Sequence, residues 1–179
     1  MLKRLATLLI INLILISCKK EKSKIETCAD CNFTCVDEND VDVITNNCLP
    51  NWECSFQIFE NSTIDTEEYE GYTSGNKRIF QMIKHTNGSE QIADDEFTDI
   101  VIFELDKNQT SFSAEDADLR LMNAHFKTVC FCSDVWFKPI TKGCLQGEKQ
   151  EDGTWSIQGN LTTINYNVEE WKIDAKFSS

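Results

Sequence analysis

Basic residues are scarce in this chain: 17 Lys and Arg stand against 30 Asp and Glu, a formal charge of −13 over 179 residues. Gripping phosphates requires a basic surface, so nucleic acid is excluded as a partner. Between residues 25 and 76 there is no Lys or Arg at all, against 12 acidic residues. Histidine and proline are equally rare, two of each. Neither G-x-S-x-G nor H-E-x-x-H occurs, so the nucleophile elbow and the zincin helix are both missing. The longest apolar run, Leu5 to Ile16, covers about a dozen residues, too few for a membrane-spanning helix. No internal repeat or low-complexity stretch is present. What the chain does hold is 41% hydrophobic residues, 11 of them Phe, which excludes a disordered polymer. It also holds nine Cys, more than a cytosolic enzyme carries. The length suits one domain with a real core.

The first residues read as an address. Met1-Leu2-Lys3-Arg4 is a short basic start, the apolar run Leu5–Ile16 follows, and Leu15-Ile16-Ser17-Cys18 leads into the hydrophilic stretch KKEKSK. A basic start before a short apolar run is the pattern of a secretory leader. These residues resemble the signal peptide and lipobox of bacterial lipoproteins, and the Asn- and Ile-rich composition is similar to that of Bacteroidota surface lipoproteins. The resemblance implies cleavage before Cys18, a thioether-linked diacylglycerol on its sulfur, and acylation of the new amine. Several acyl chains together hold a protein stably on a membrane. Lys19, where an Asp would retain a lipoprotein at the inner membrane, implies the outer membrane of the cell envelope. The resemblance covers about 20 residues and assigns no family to the rest.

The mature chain divides into a lipidated tether at 18–27, a Cys-rich acidic segment at 28–51 and a β-domain at 52–179. The segment at 28–51 shows little periodicity and reads as a loop held by cross-links. Beyond it, period-2 alternation dominates. Trp52, Cys54, Phe56 and Ile58 alternate with polar residues. Arg78 to His85 reads as a strand closed by a turn at Thr86-Asn87-Gly88. Phe97 to Leu105 is apolar on both faces, which predicts a central strand. Leu119 to Cys132 predicts a strand with a bulge near Asn123, and Val135 to Phe137 a short one stopped by Pro139. Gly143 to Gln150, the turn Glu151-Asp152-Gly153, and the alternations Trp155–Leu161 and Trp171–Phe177 predict hairpins. Ser113 to Asp118 predicts a short helical turn. About seven or eight such strands imply an all-β domain, an antiparallel sandwich or barrel. Gly153-Thr154-Trp155 is similar to the lipocalin G-x-W, which there opens the barrel and here lies near the C-terminus.

Setting Cys18 aside leaves Cys28, Cys31, Cys35, Cys48, Cys54, Cys130, Cys132 and Cys144. In an exported chain an even number of cysteines reads as disulfides. Cys130 and Cys132 share one face of a strand and are poorly placed to bond each other. At least one of them is therefore expected to reach the Cys28–Cys54 region. Four thiolates at 28, 31, 130 and 132 would also suit zinc, but outside the cytosol oxidation competes and the spacing matches no zinc pattern. The C-x-x-C at 28–31 lacks the strand-to-helix setting of a redox motif.

Remaining chemical candidates are thin. Ser74-Gly75-Asn76-Lys77 matches S-x-x-K only on paper, because Gly75-Asn76 reads as a turn. His85 and His125 fall in strand-like segments and could act as base or ligand. The runs Asp37–Asp42 and Asp94-Asp95-Glu96 with Asp99 offer oxygen ligands for calcium, without the glycine turn and distal Glu of an EF-hand loop. Five N-x-[ST] sequons, at Asn32, Asn61, Asn87, Asn108 and Asn160, fit surface turns. No catalytic residue, metal or cofactor is implied. The leading expectation is a non-enzymatic binding or interaction module, anchored in the envelope and meeting an envelope protein or small ligand. A lipocalin-like carrier of an apolar ligand is the alternative, and an envelope enzyme comes third.

Overall fold

The structure, a computed structural model, describes residues 43–48, 52–86, 96–130, 136–164 and 168–179. In chain order the strands are β1 (Val43–Ile44), β2 (Trp52–Ile64), β3 (Tyr72–Thr86), β4 (Thr98–Asp106) and β5 (Ser111–Glu115). They continue with β6 (His125–Val129), β7 (Lys138–Pro139), β8 (Lys142–Lys149), β9 (Trp155–Ile164) and β10 (Val168–Phe177). One sheet runs β1-β10-β9-β8-β5 and the other β2-β3-β4-β6-β7. Only β1 pairs in parallel, with β10; the remaining pairs are antiparallel. β4 lies at the centre of its sheet, as its two apolar faces predict. Among the described residues no helix is long and apolar enough to cross a membrane.

The expected all-β class holds as a sandwich, not a barrel. The two sheets remain separate, touching by one isolated bridge, Gln57 to Ser178. Alternation sends Phe56, Phe80, Met82, Phe103 and Phe126 from one sheet against Leu145, Trp155, Ile157, Trp171 and Phe177 from the other, all buried. Phe80 is the hub, with Phe103, Trp155 and Phe177 centroids at 4.9, 5.1 and 5.8 Å. Burying each large side chain contributes about 2–3 kcal/mol, and these rings occupy the layer where a lipocalin-like carrier would hold its ligand.

Along β3 the inward positions are Arg78, Phe80, Met82 and Lys84, an apolar centre with a cation at each end. The Arg78 guanidinium lies 5.4 Å from the Trp155 ring centroid. It donates to Glu60 Oε1 at 2.6 Å and to the carbonyls of Lys107 and Gln109, closing that end of the interior.

Several local expectations shift. Leu119 to Cys132 is not one strand: residues 116–120 form a 3₁₀ turn, Asn123 takes φ +50°, and β6 starts only at His125. The cause is burial, since Leu119 and Met122 both turn into the core and Ala124 N–H bonds back to the Leu119 carbonyl. The helical turn expected from Ser113 accordingly begins at Asp116, because Ser111–Glu115 pairs with β8. Trp136 and Phe137 precede the short strand rather than form it. Gly75 and Asn76 lie within β3, opposite the bulge at Asn61 and Ser62, rather than at a turn. Asn160 lies inside β9, not at a surface turn. Val43 and Ile44, within the stretch expected to be loop, add a strand to the first sheet and bury Ile44.

Candidate functional site

The β2–β3 connection, Asp65 to Gly71, is a polar run between two alternating segments. Asp65 starts it as an acceptor for the Glu67 N–H. Gly71 ends it at φ +86°, a left-handed backbone that side-chain-bearing residues rarely adopt. Asp65 N–H to Gly71 C=O (2.9 Å) and Gly71 N–H to Glu68 C=O (3.0 Å) hold the turn. A side chain at Gly71 would collide with Phe137 and Ile102, so the turn sits tightly on the outer face of the second sheet.

This arrangement makes a small second core outside the sandwich. Ile79, Gln81, Ile102 and Lys127 point away from the aromatic interior yet are buried. Lys127 is central. Its Nζ donates to the Tyr69 carbonyl at 2.9 Å and lies 4.3 Å from the Tyr69 ring and 4.9 Å from the Phe137 ring. Burial pushes the Lys127 ammonium below its usual range, and no carboxylate among the described residues is paired with it. The ring faces and one carbonyl supply the compensation. Nearby, Phe59 and Tyr72 stack at 4.5 Å. Burial, with the Glu70 carboxylate adding, raises the Tyr72 phenol.

Above Lys127 the surface is aromatic and acidic. Tyr69 is 73% exposed and Trp136, adjacent in the chain to Phe137, is 65% exposed. Glu67, Glu68 and Glu70 flank Tyr69 and are exposed too. Tyr69 thus stands among three exposed carboxylates over the buried Lys127, and the exposed Trp136 is the chain neighbour of Phe137, whose ring faces the same ammonium.

On the inner face of the same sheet, Lys84 Nζ lies 4.2 Å from the ring centroids of both Trp52 and Trp171, and 3.3 Å from Asp99 Oδ2. Asp99 Oδ1 accepts from Thr128 Oγ1 at 2.6 Å. Burial raises the Asp99 carboxyl, partly offset by Thr128 and Lys84. The Trp171 Nε1 and Thr163 Oγ1 groups are buried without a hydrogen-bond partner. This enclosed pair closes the interior opposite Arg78.

The residues singled out by sequence are scattered. Cys48 and Cys54 form a disulfide with Cα atoms 5.6 Å apart, tying the start of β2 to the segment before it. Cys130 and Cys144 are each disulfide-bonded as well, and not to one another. Cys18, Cys28, Cys31, Cys35 and Cys132 lie outside the described residues, as do Asp37–Asp42, Asp94 and Asp95. His85 Nδ1 pairs with Thr98 Oγ1 and His125 Nδ1 with the Asn123 carbonyl, each at 2.8 Å. Ser74 and Lys77 do not form a pair; Lys77 bonds Asp106. Among the described residues no three His, Cys, Asp or Glu side chains gather as a metal site. Sequence reading missed the Tyr69–Phe137–Lys127 cluster, since about 60 residues separate Tyr69 from the other two. The available signal was the isolated Tyr in an otherwise acidic turn. Comparison with protein-family models, curated proteins and solved structures finds no match to this chain.

Proposed function

We propose that this chain is a lipid-anchored protein of the bacterial outer membrane that works as a non-enzymatic interaction module. Its recognition surface is the acidic–aromatic knob of Glu67, Glu68, Tyr69, Glu70 and Trp136. The supporting observation is the exposure of Tyr69 and Trp136 on a base held by Lys127 and Phe137. Exposed, pre-positioned Tyr and Trp are the side chains that dominate binding energy at protein interfaces. The flanking carboxylates and the strongly negative chain select a partner with Lys or Arg on its surface, attracted by charge and by the ring faces. The filled sandwich interior argues against carriage of an apolar ligand. The leader and Cys18 supply the anchor.

The test is binding of the released chain (Cys18→Ser, residues 18–179) to envelope extracts, compared with the same chain carrying Tyr69→Ala and Trp136→Ala. Saturable binding that weakens with salt and falls at least tenfold in the double variant is expected. Leu121→Ala, a change at an exposed apolar residue elsewhere, should leave binding intact. Equal binding by all three chains would remove the knob from the reading.

A further inference from the structure

We propose that bound water is part of the fold at the Lys84 end of the interior, a short file joining the Trp171 indole N–H, the Thr163 hydroxyl and Asp99 Oδ2. Four buried side-chain atoms among the described residues lack a hydrogen-bond partner, and three of them are these groups. Trp171, Thr163 and Asp99 are 1%, 2% and 2% exposed, so bulk solvent does not reach them. A buried polar group left dry carries its full desolvation cost, and three at one end of a core call for a shared partner. The opposite end shows the difference, since Arg78 there is met by Glu60 and two carbonyls.

Strand register brings the three together. Leu161 on β9 pairs with Trp171 on β10, and Thr163 with Glu169. Thr163 and Trp171 are therefore diagonal neighbours on the inward face, about 7 Å apart. Asp99 comes from the facing sheet, where Lys84, Asp99 and Thr128 form one inward row. The Lys84 ammonium links the layers, 3.3 Å from Asp99 Oδ2 and 4.2 Å from the Trp171 ring centroid. Phe126 packs against the same indole with centroids 5.5 Å apart. With Thr163 it also lines a cavity of about 60 Å³ beside residues 138–142.

The chemistry of the three groups selects the guest. Trp171 Nε1 can only donate, an ionised Asp99 oxygen can only accept, and the Thr163 hydroxyl does either. A molecule that both donates and accepts satisfies all three, whereas a bare cation would be repelled by Lys84 and an anion by Asp99. Water also fits the space. The cavity exceeds the room one water needs, about 15 Å³, and lies far below the roughly 300 Å³ of a small-molecule site. Thr141, Thr162 and Lys142 also line it, and a cavity with polar walls holds water where an apolar one stays dry. Pro139, Lys142 and Ile164 in the same lining are exposed, which gives water an entry.

Nuclear magnetic resonance on the released chain (Cys18→Ser, residues 18–179) tests the file. A cross-relaxation peak between water and the Trp171 indole N–H is expected, the indole being identified by its through-space contacts with Phe126. The peak should persist in Lys84→Met, which removes the exchanging ammonium in contact with that ring. No peak in the parent, or its loss in Lys84→Met, overturns the proposal. Urea unfolding supplies an independent sign. Thr163→Val keeps the shape and removes the hydroxyl. With water bound, the change strips a hydrogen bond and lowers the midpoint; at a dry site it removes an orphaned group and raises it. A midpoint that rises or stays put rejects the file. If either variant does not fold, the parental spectrum decides.

Discussion

Two lysines lie against aromatic rings on opposite faces of one sheet, and they differ in what balances their charge. Lys84, inside the sandwich, has Asp99 at 3.3 Å and a tryptophan ring on each side. Lys127, outside it, has a carbonyl and two rings, and among the described residues no paired carboxylate. The first is a closed pair at the end of the core, whose removal strands a buried charge. The second pins a surface turn whose Tyr69 faces solvent, and packs on Phe137, the chain neighbour of the exposed Trp136.

The largest test of this contrast is Lys84→Met. It leaves Asp99 buried without its cation, and a broken buried pair costs about 3 kcal/mol at pH 7. Burial already raises the Asp99 carboxyl, so the folded state holds its proton more tightly than the unfolded chain. The deficit should shrink as pH falls, disappear below the unfolded value of about 3.9, and be complete once pH rises through the folded value. Urea unfolding at several pH values measures this, and a pH-independent deficit would contradict the buried-charge account. Next in size is Gly71→Ala, expected to lose about 2 kcal/mol through left-handed strain and collision with Phe137 and Ile102. Hydrogen exchange should quicken in residues 65–71 and 136–137 while the Lys84 end of the core is unchanged.

Lys127→Met should have the smallest effect on stability, within about 1 kcal/mol at pH 7, because relief of desolvation offsets the lost carbonyl and ring contacts. Its signature is in the pH profile. With the folded ammonium lowered by burial, the unfolded chain binds more protons between the folded and unfolded values, so parental stability rises with pH across that window. The variant should lose that rise, and its persistence would show that Lys127 is not desolvated.

The strands were legible wherever one face is buried and the other wet. Trp155 to Leu161 and Trp171 to Phe177 alternate cleanly, and both are strands in the predicted hairpin. Thr98–Asp106, apolar on both sides, is central because both of its faces are covered, one by the aromatic interior and the other by the Tyr69 turn and Phe137. Legibility failed where burial and local conformation disagree. Leu119 and Met122 look like strand residues by hydrophobicity, but they reach the core from a 3₁₀ turn, and the left-handed Asn123 ends it. The candidate knob was hidden for a different reason. Lys127 reads as an ordinary outward lysine in β6, and only the folding of residues 65–71 and Phe137 over that strand desolvates it.

The sequence by itself determined the all-β class, the central strand, the unequal distribution of charge and the cysteine inventory, because period-2 patterning and composition are local properties. Tertiary structure alone decided that the sheets stay open as a sandwich, since closure depends on which edges meet. It also decided that Lys84 is buried with Asp99, while Lys127 is buried against a carbonyl and two rings. Neighbouring charge and lost solvent are supplied by residues distant in the chain, and no local pattern encodes them.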